Sequence, residues 1–298
     1  MRYLLSATAL ALGGCLLADS ALAVNGHYVA GVEGLRAATV PPPGTYYRAY
    51  LVHYRIDSLT DGRGDDLPGD NDGSVSALVS RLVWISDKRF LGADYGAEAI
   101  VPLQRTSLDF DAVGIDDRDS GVGDIFLSPL VLGWHGHRWD AVFAAGEWFD
   151  TADYDAGDPA TTGKGFRTTM LTLGGTLYFD AAKSWSFSAL SRYEINGEQD
   201  TTGITPGDSL TVEWGLGKRL ASGLEIGLVG YDAWQLERDE DVPSGAPNDK
   251  AEQHAIGAEA GYFWPKAGLG LNAAYLNEYT AKDRPQGDML RLTLTKVL

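Results

Sequence analysis

Residues 185–196 read Trp185-Ser186-Phe187-Ser188-Ala189-Leu190-Ser191-Arg192-Tyr193-Glu194-Ile195-Asn196. Trp185, Phe187, Ala189, Tyr193 and Ile195 share one phase of a two-residue period, while Ser186, Ser188, Arg192 and Glu194 share the other. Successive strand side chains point to opposite faces, so this spacing predicts a strand with one apolar and one polar side. The same period recurs on both sides of this stretch. Leu210, Val212, Trp214 and Leu216 alternate with Thr211, Glu213, Gly215 and Gly217. Ile256, Ala258, Ala260, Tyr262 and Trp264 alternate with Gly257, Glu259 and Gly261, and Ala93, Tyr95, Ala97 and Ala99 with Asp94, Gly96 and Glu98.

Carried along the chain, this reading predicts twelve strands: 45–56, 74–86, 90–104, 121–134, 139–149, 167–179, 185–196, 208–219, 224–237, 251–264, 268–279 and 288–298. Most reach the roughly 9–11 residues that a tilted strand needs to cross a bilayer. Connections alternate between short (87–89, 135–138, 180–184, 220–223, 265–267) and long (57–73, 105–120, 150–166, 197–207, 238–250, 280–287). Short turns on one side and long loops on the other describe an all-β, antiparallel, up-and-down transmembrane β-barrel of about 12 strands. In hydrocarbon every backbone polar group needs an internal partner, so such a sheet must close on itself. Three stretches are less regular. Both faces are apolar around 75–85 and 125–134, Pro129 weakens its strand locally, and the apolar face changes near Gly230, which suggests a bulge.

Composition agrees. The 298 residues carry 24 Lys+Arg against 41 Asp+Glu, a net charge of −17, and the long acidic loops hold most of that excess. Nucleic acid as a partner is excluded by the want of a basic footprint. With 37 Gly, 8 Trp, 14 Tyr and 9 Phe the chain suits strands and turns better than helices. A single Cys rules out a disulfide framework. Arg2, the apolar run that follows it and Ala21-Leu22-Ala23 read as an export signal over residues 1–23, with Cys15 in Leu12-Gly13-Gly14-Cys15 offering an alternative lipoprotein box. Residues 24–43 lack a strand period and end in Pro41-Pro42-Pro43. They are expected to form an extended segment entering the lumen from the short-turn side as a partial plug. The barrel occupies 44–298. Trp84, Trp134, Trp139, Trp148, Trp185, Trp264, Tyr178 and Phe179 fall near strand ends, as an interfacial girdle would.

The polar phase then lines the lumen with Arg81, Glu98, Glu147, Arg192, Glu194, Glu213, Glu259 and Arg291. Buried charges persist only when paired or hydrated, so ladders around a wet interior are expected. No catalytic, metal or cofactor constellation emerges, and the reading is of a protein that is not an enzyme. Asp70-Asn71-Asp72-Gly73 begins like a Ca²⁺ loop but is not completed, and His135 and His137 share only a turn.

Several stretches resemble a known family. Gly26-His27-Tyr28-Val29-Ala30-Gly31-Val32-Glu33-Gly34, then Ala37-Ala38 and Pro41-Pro42-Pro43-Gly44, is similar to the mature N-terminus of the "putative MetA-pathway of phenol degradation" family. Ser128-Pro129-Leu130-Val131-Leu132-Gly133-Trp134, Arg192-Tyr193-Glu194-Ile195-Asn196 and Arg284-Pro285-Gln286-Gly287-Asp288 extend the resemblance over nearly the whole mature chain. It implies passage of small hydrophobic or aromatic solutes across a bacterial outer membrane, and the expectation is of a monomeric barrel in contact with outer-membrane lipid. One departure is the ending Lys296-Val297-Leu298, where such barrels commonly finish on an aromatic residue. Two other functions fit the strand pattern: a structural or adhesive barrel with a filled lumen, and a secreted soluble β-protein binding carbohydrate or lipid.

Overall fold

The computed structural model describes residues 26–298; the export signal expected over 1–23 lies outside the described residues. Thirteen strands follow in order: β1 (Gly44–Thr60), β2 (Asn71–Phe90), β3 (Ala93–Phe110), β4 (Ile115–Val122), β5 (Ile125–His135), β6 (Trp139–Phe149), β7 (Thr168–Tyr178), β8 (Trp185–Asn196), β9 (Ser209–Arg219), β10 (Glu225–Gln235), β11 (Glu252–Trp264), β12 (Leu269–Lys282) and β13 (Arg284–Val297). All pairs are antiparallel neighbours in sequence except at two places. β1 pairs with β13 from Tyr46 opposite Val297 to Thr60 opposite Arg284, which closes the ring. β3 pairs with β4 along Leu103–Phe110 and with β5 along Asp94–Ile100, so β4 and β5 are one wall strand broken at Gly123-Asp124. The wall is therefore a closed twelve-strand barrel with one extra strand segment.

Closure pairs the first wall strand with the last, so that among the described residues only β4 keeps an unpaired side, and the apolar phase faces outward all round. Leu51, Leu82, Val101, Leu173, Phe187, Leu228, Ile256, Leu271 and Leu292 are exposed, an outer surface that a lipid wall would cover. Trp84, Trp139, Phe179, Trp185 and Trp264 are exposed around the short-turn rim, as a girdle should be. Trp148 and Tyr178 are not part of it. Both are in phase with lumen residues and buried; Trp148 stacks on His27 with ring centroids 5.5 Å apart, and the Tyr178 hydroxyl donates to Asp140 at 2.5 Å.

The loops differ from expectation in two places. Residues 105–120 form the top of the β3–β4 hairpin, because Leu108, Phe110 and Ile115 pack with Ile56, Leu59 and Ala160 in a small core above the barrel. Residues 280–287 reduce to a turn at Asp283, which adopts φ 52°. Asn71 in the Ca²⁺-like stretch is buried, its amide donating to Leu67 O at 3.1 Å and accepting from Ala112 N at 3.0 Å, so it ties loops together.

The bulge expected near Gly230 is absent: β10 keeps one register with β9 and β11 from Glu225 to Trp234. Its apolar phase changes because Val229 and Tyr231 face inward and pack on Leu35 of the N-terminal segment. The weak point at Pro129 is present, as a register shift between Leu127 and Leu130.

Candidate functional site

Residues 26–43 lie inside the barrel. The segment rises from Pro43 at the short-turn end, makes a single 3-10 turn at Gly34–Arg36, and reaches His27 beside the β4–β5 break. Its lower half is held by packing. Leu35, 2% exposed, sits over Gly215 and Gly227, where a Cβ on the strand would lie 2.7 Å from Leu35 atoms. Ala38 and Val40 pack with Val83, Ile85, Val131, Val142 and Leu190. The inward glycines of β9 and β10 are therefore a groove cut for a chain, which explains part of the high glycine content.

The centre of the lumen is organised by Glu33. Its Oε1 accepts from Arg81 Nη1 at 2.8 Å and from Arg192 Nη2, while Oε2 lies 3.3 Å from Arg48 Nη1. Its backbone N–H donates to Glu213 Oε2 at 2.9 Å. Burial would raise the Glu33 carboxyl, but the guanidinium groups of Arg81, Arg192 and Arg48 outweigh it and hold the group well below the usual carboxylate range. Arg81 also donates to Glu98 at 2.6 Å and to the Tyr50 hydroxyl at 3.1 Å, and Arg192 to Thr172 at 3.0 Å. Around this hub, Tyr28 N donates to Glu194 at 2.9 Å and the Tyr28 hydroxyl to Glu213. Arg291 pairs with Glu259 and donates to the Gly31 carbonyl at 2.6 Å.

Seven of the eight lumen residues expected from sequence thus face inward: Arg81, Glu98, Arg192, Glu194, Glu213, Glu259 and Arg291. They make one network around the N-terminal segment. Glu147 does not join them. It is out of phase with Val142, Ala144 and Trp148, and its half-exposed carboxylate lies 3.7 Å from Arg167 on the outer surface. The strand period was sound there, but the polar residue sits on the outer phase, near the long-loop rim where lipid gives way to water. His135 and His137 do not form a pair; His135 lies 3.0 Å from Asp140 instead.

Sequence reasoning missed Glu33, His27 and Asp124. Glu33 carried a signal, being the only carboxylate between residues 20 and 56 and flanked by glycine. Asp124 sits at the strand break and accepts from the backbone of Thr151, Ala152 and Lys164 at 2.9–3.0 Å. It also accepts from His27 Nε2 at 3.1 Å, so one carboxylate joins the N-terminal segment to the 150–167 loop.

Above Glu33, on the long-loop side, lies a cavity of about 420 Å³. One wall is apolar, formed by Val52, Val75, Ala77, Val79, Ile100 and Pro102 of β1–β3. Facing it are Arg192, Glu194, Thr211 and Gln253, and the floor is made by Tyr28, Glu33 and Arg81.

A closed twelve-strand barrel with an apolar exterior and a charged, chain-filled interior defines the class: a transmembrane barrel of the outer-membrane type. Residues 56–294 match the family described as "Putative MetA-pathway of phenol degradation", and the chain belongs to that family. Among solved structures, the COG4313 outer membrane channel from Pseudomonas putida F1 superposes with a TM-score of 0.78 at 16% identity, covering 91% of this chain and 100% of that one. At that identity the likeness is one of fold. The β domain of the Bordetella autotransporter BrkA (14% identity, 86% of this chain, 99% of that one) and the translocator domain of NalP from Neisseria meningitidis (11%, 87% and 90%) each give a TM-score of 0.47. Comparison with curated proteins finds no match.

Proposed function

We infer that the protein is a bacterial outer-membrane channel for passive entry of small hydrophobic, chiefly aromatic, solutes, and that residues 24–43 act as its partial plug. The carrying observation is the 420 Å³ cavity with its apolar β1–β3 wall, enclosed in the barrel and floored by the N-terminal segment. A cavity of this size and lining suits a single aromatic ring with room to turn. The family relationship agrees with this reading. On this reading flux is passive and follows the concentration gradient.

The test is uptake of a neutral aromatic, benzyl alcohol, by liposomes holding the full mature chain, beside a variant lacking residues 25–40. Entry above that of empty liposomes, rising on deletion, supports channel and plug together. Equal flux with and without the segment removes the plug. No flux from either favours the structural barrel with a filled lumen.

A further inference from the structure

The cavity has a feature that passage of a neutral hydrocarbon does not use. Its floor presents two arginines, Arg81 and Arg192, each bound to the same carboxylate oxygen of Glu33. Both guanidiniums are buried, with side chains 13% and 4% exposed, and the Nε of Arg192 is buried without a hydrogen-bond partner. Arg48, the third partner of Glu33, lies on the far side, outside the cavity lining. Glu33 is therefore a carboxylate held between cations that face the cavity and one that does not.

We propose that Arg81 and Arg192, with the Tyr50 hydroxyl, form a carboxylate-binding site that Glu33 occupies as a tethered ligand, and that aromatic monocarboxylates entering the cavity compete for it. This rests on the channel reading above and narrows its solute class.

The electrostatics require a carboxylate in particular. Withdrawing Glu33 with nothing in its place would leave buried guanidinium charge short of a partner, which is strongly unfavourable. A neutral solute cannot make up that loss, whereas an incoming carboxylate can accept from both arginines in the planar geometry they favour. Its ring would lie against Val79 and Ile100 on the apolar wall. Glu33 has somewhere to go and a means of going. Arg48 remains available below, and Gly31 (φ 87°) and Gly34 (φ 78°) bracket the residue with backbone conformations that side chains resist. Exchange of one carboxylate for another would thus loosen the Tyr28–Gly34 stretch without stranding a charge. Solute and plug become alternatives at a single site.

The test measures binding of benzoate and benzyl alcohol, by calorimetry, to the full mature chain in detergent. Heat-modifiable gel mobility confirms that each variant is folded. The expected result is that the wild-type chain prefers benzoate, and that Glu33→Gln, which keeps the side-chain volume, raises the benzoate-to-benzyl-alcohol affinity ratio about tenfold by removing the resident charge. Arg48→Gln, which weakens the retreat position of Glu33 and leaves the cavity floor intact, should lower the ratio. An unchanged ratio in Glu33→Gln, or equal affinity for the two ligands in both chains, overturns the proposal. Liposome uptake of benzyl alcohol separates this from the broader reading: flux without benzoate preference sinks the carboxylate site alone, whereas absence of all flux sinks the channel.

Discussion

The His27 ring donates to Asp124 at 3.1 Å across 97 residues of chain, and its other nitrogen meets Thr168 at 2.9 Å. This contact pins the top of the N-terminal segment to the break between β4 and β5 in the barrel wall. It also makes the segment's docking sensitive to acid. Burial holds the His27 imidazole below its ordinary value of 6.5, against the opposing pull of Asp124. A group that binds its proton less readily when docked contributes fully above 6.5 and loses that contribution as pH falls below it. Single-channel conductance in planar bilayers should therefore rise between pH 7 and pH 5. His27→Gln should flatten the response, and a wild-type conductance that falls with acid would contradict the assignment.

Leu35 supplies the segment's main apolar anchor. Truncation to Ala empties a site that is 2% exposed and lined by glycines unable to fill it. The cost should be about 2–3 kcal/mol, at the lower end for a buried leucine. Because the loss falls on docking and not on the strand ladder, Leu35→Ala should open the channel more often while the wall melts at an unchanged temperature. Heat-modifiable mobility and conductance on the same preparation separate the two.

At the long-loop rim, Asp283 is pushed up to about 6 by burial and then by Asp249, Asp239 and Asp61. A carboxyl that holds its proton more tightly when folded favours the fold at low pH and loses that benefit as pH rises through about 6. Asp283→Asn keeps a residue tolerant of the observed φ and removes the charge. It should stabilise the barrel by about 1 kcal/mol at pH 7.5, a value discounted for partial solvent screening, and by nothing at pH 4. Equal melting shifts at both pH values would refute the charge explanation.

The two faces of β3 can be told apart by one substitution on each. Glu98 is 7% exposed and paired with Arg81, while its neighbour Ala97 faces outward. Glu98→Leu leaves Arg81 with Glu33 as its one paired carboxylate, beside the neutral Tyr50 hydroxyl, and should destabilise by about 3 kcal/mol and change flux. Ala97→Leu adds apolar surface toward lipid and should change neither by more than about 0.5 kcal/mol. Similar effects from the two would mean that the inward phase is wrongly placed.

Much of the wall was legible in sequence, because period two is a local signal that survives wherever lipid and lumen impose opposite demands. The stretch from Trp185 to Asn196 forms β8 with the expected faces, and its Arg192 and Glu194 point inward. Signals failed where a third surface intervened. Val229 and Tyr231 read as a phase change because the lumen at that height is filled by Leu35, so both phases of β10 meet apolar neighbours. Glu147 read as inward because polar residues near the rim are equally at home outside. The lumen network was half visible. Its strand members followed from alternation, but the group that draws them together, Glu33, lies in a stretch with no period. Its role depends on Arg81 and Arg192, 48 and 159 residues away.

The contacts of that short stretch also depend on the ring being closed. Gly31 is gripped by Arg291 of β13, Glu33 by side chains from β1, β2, β8 and β9, and His27 by Asp124 and β7. No single hairpin offers this set of partners; they converge only once the last strand has met the first. The residues that precede every strand in the chain thus have their full set of partners only in a finished cylinder, and a sheet whose ends have not met offers them no complete seat.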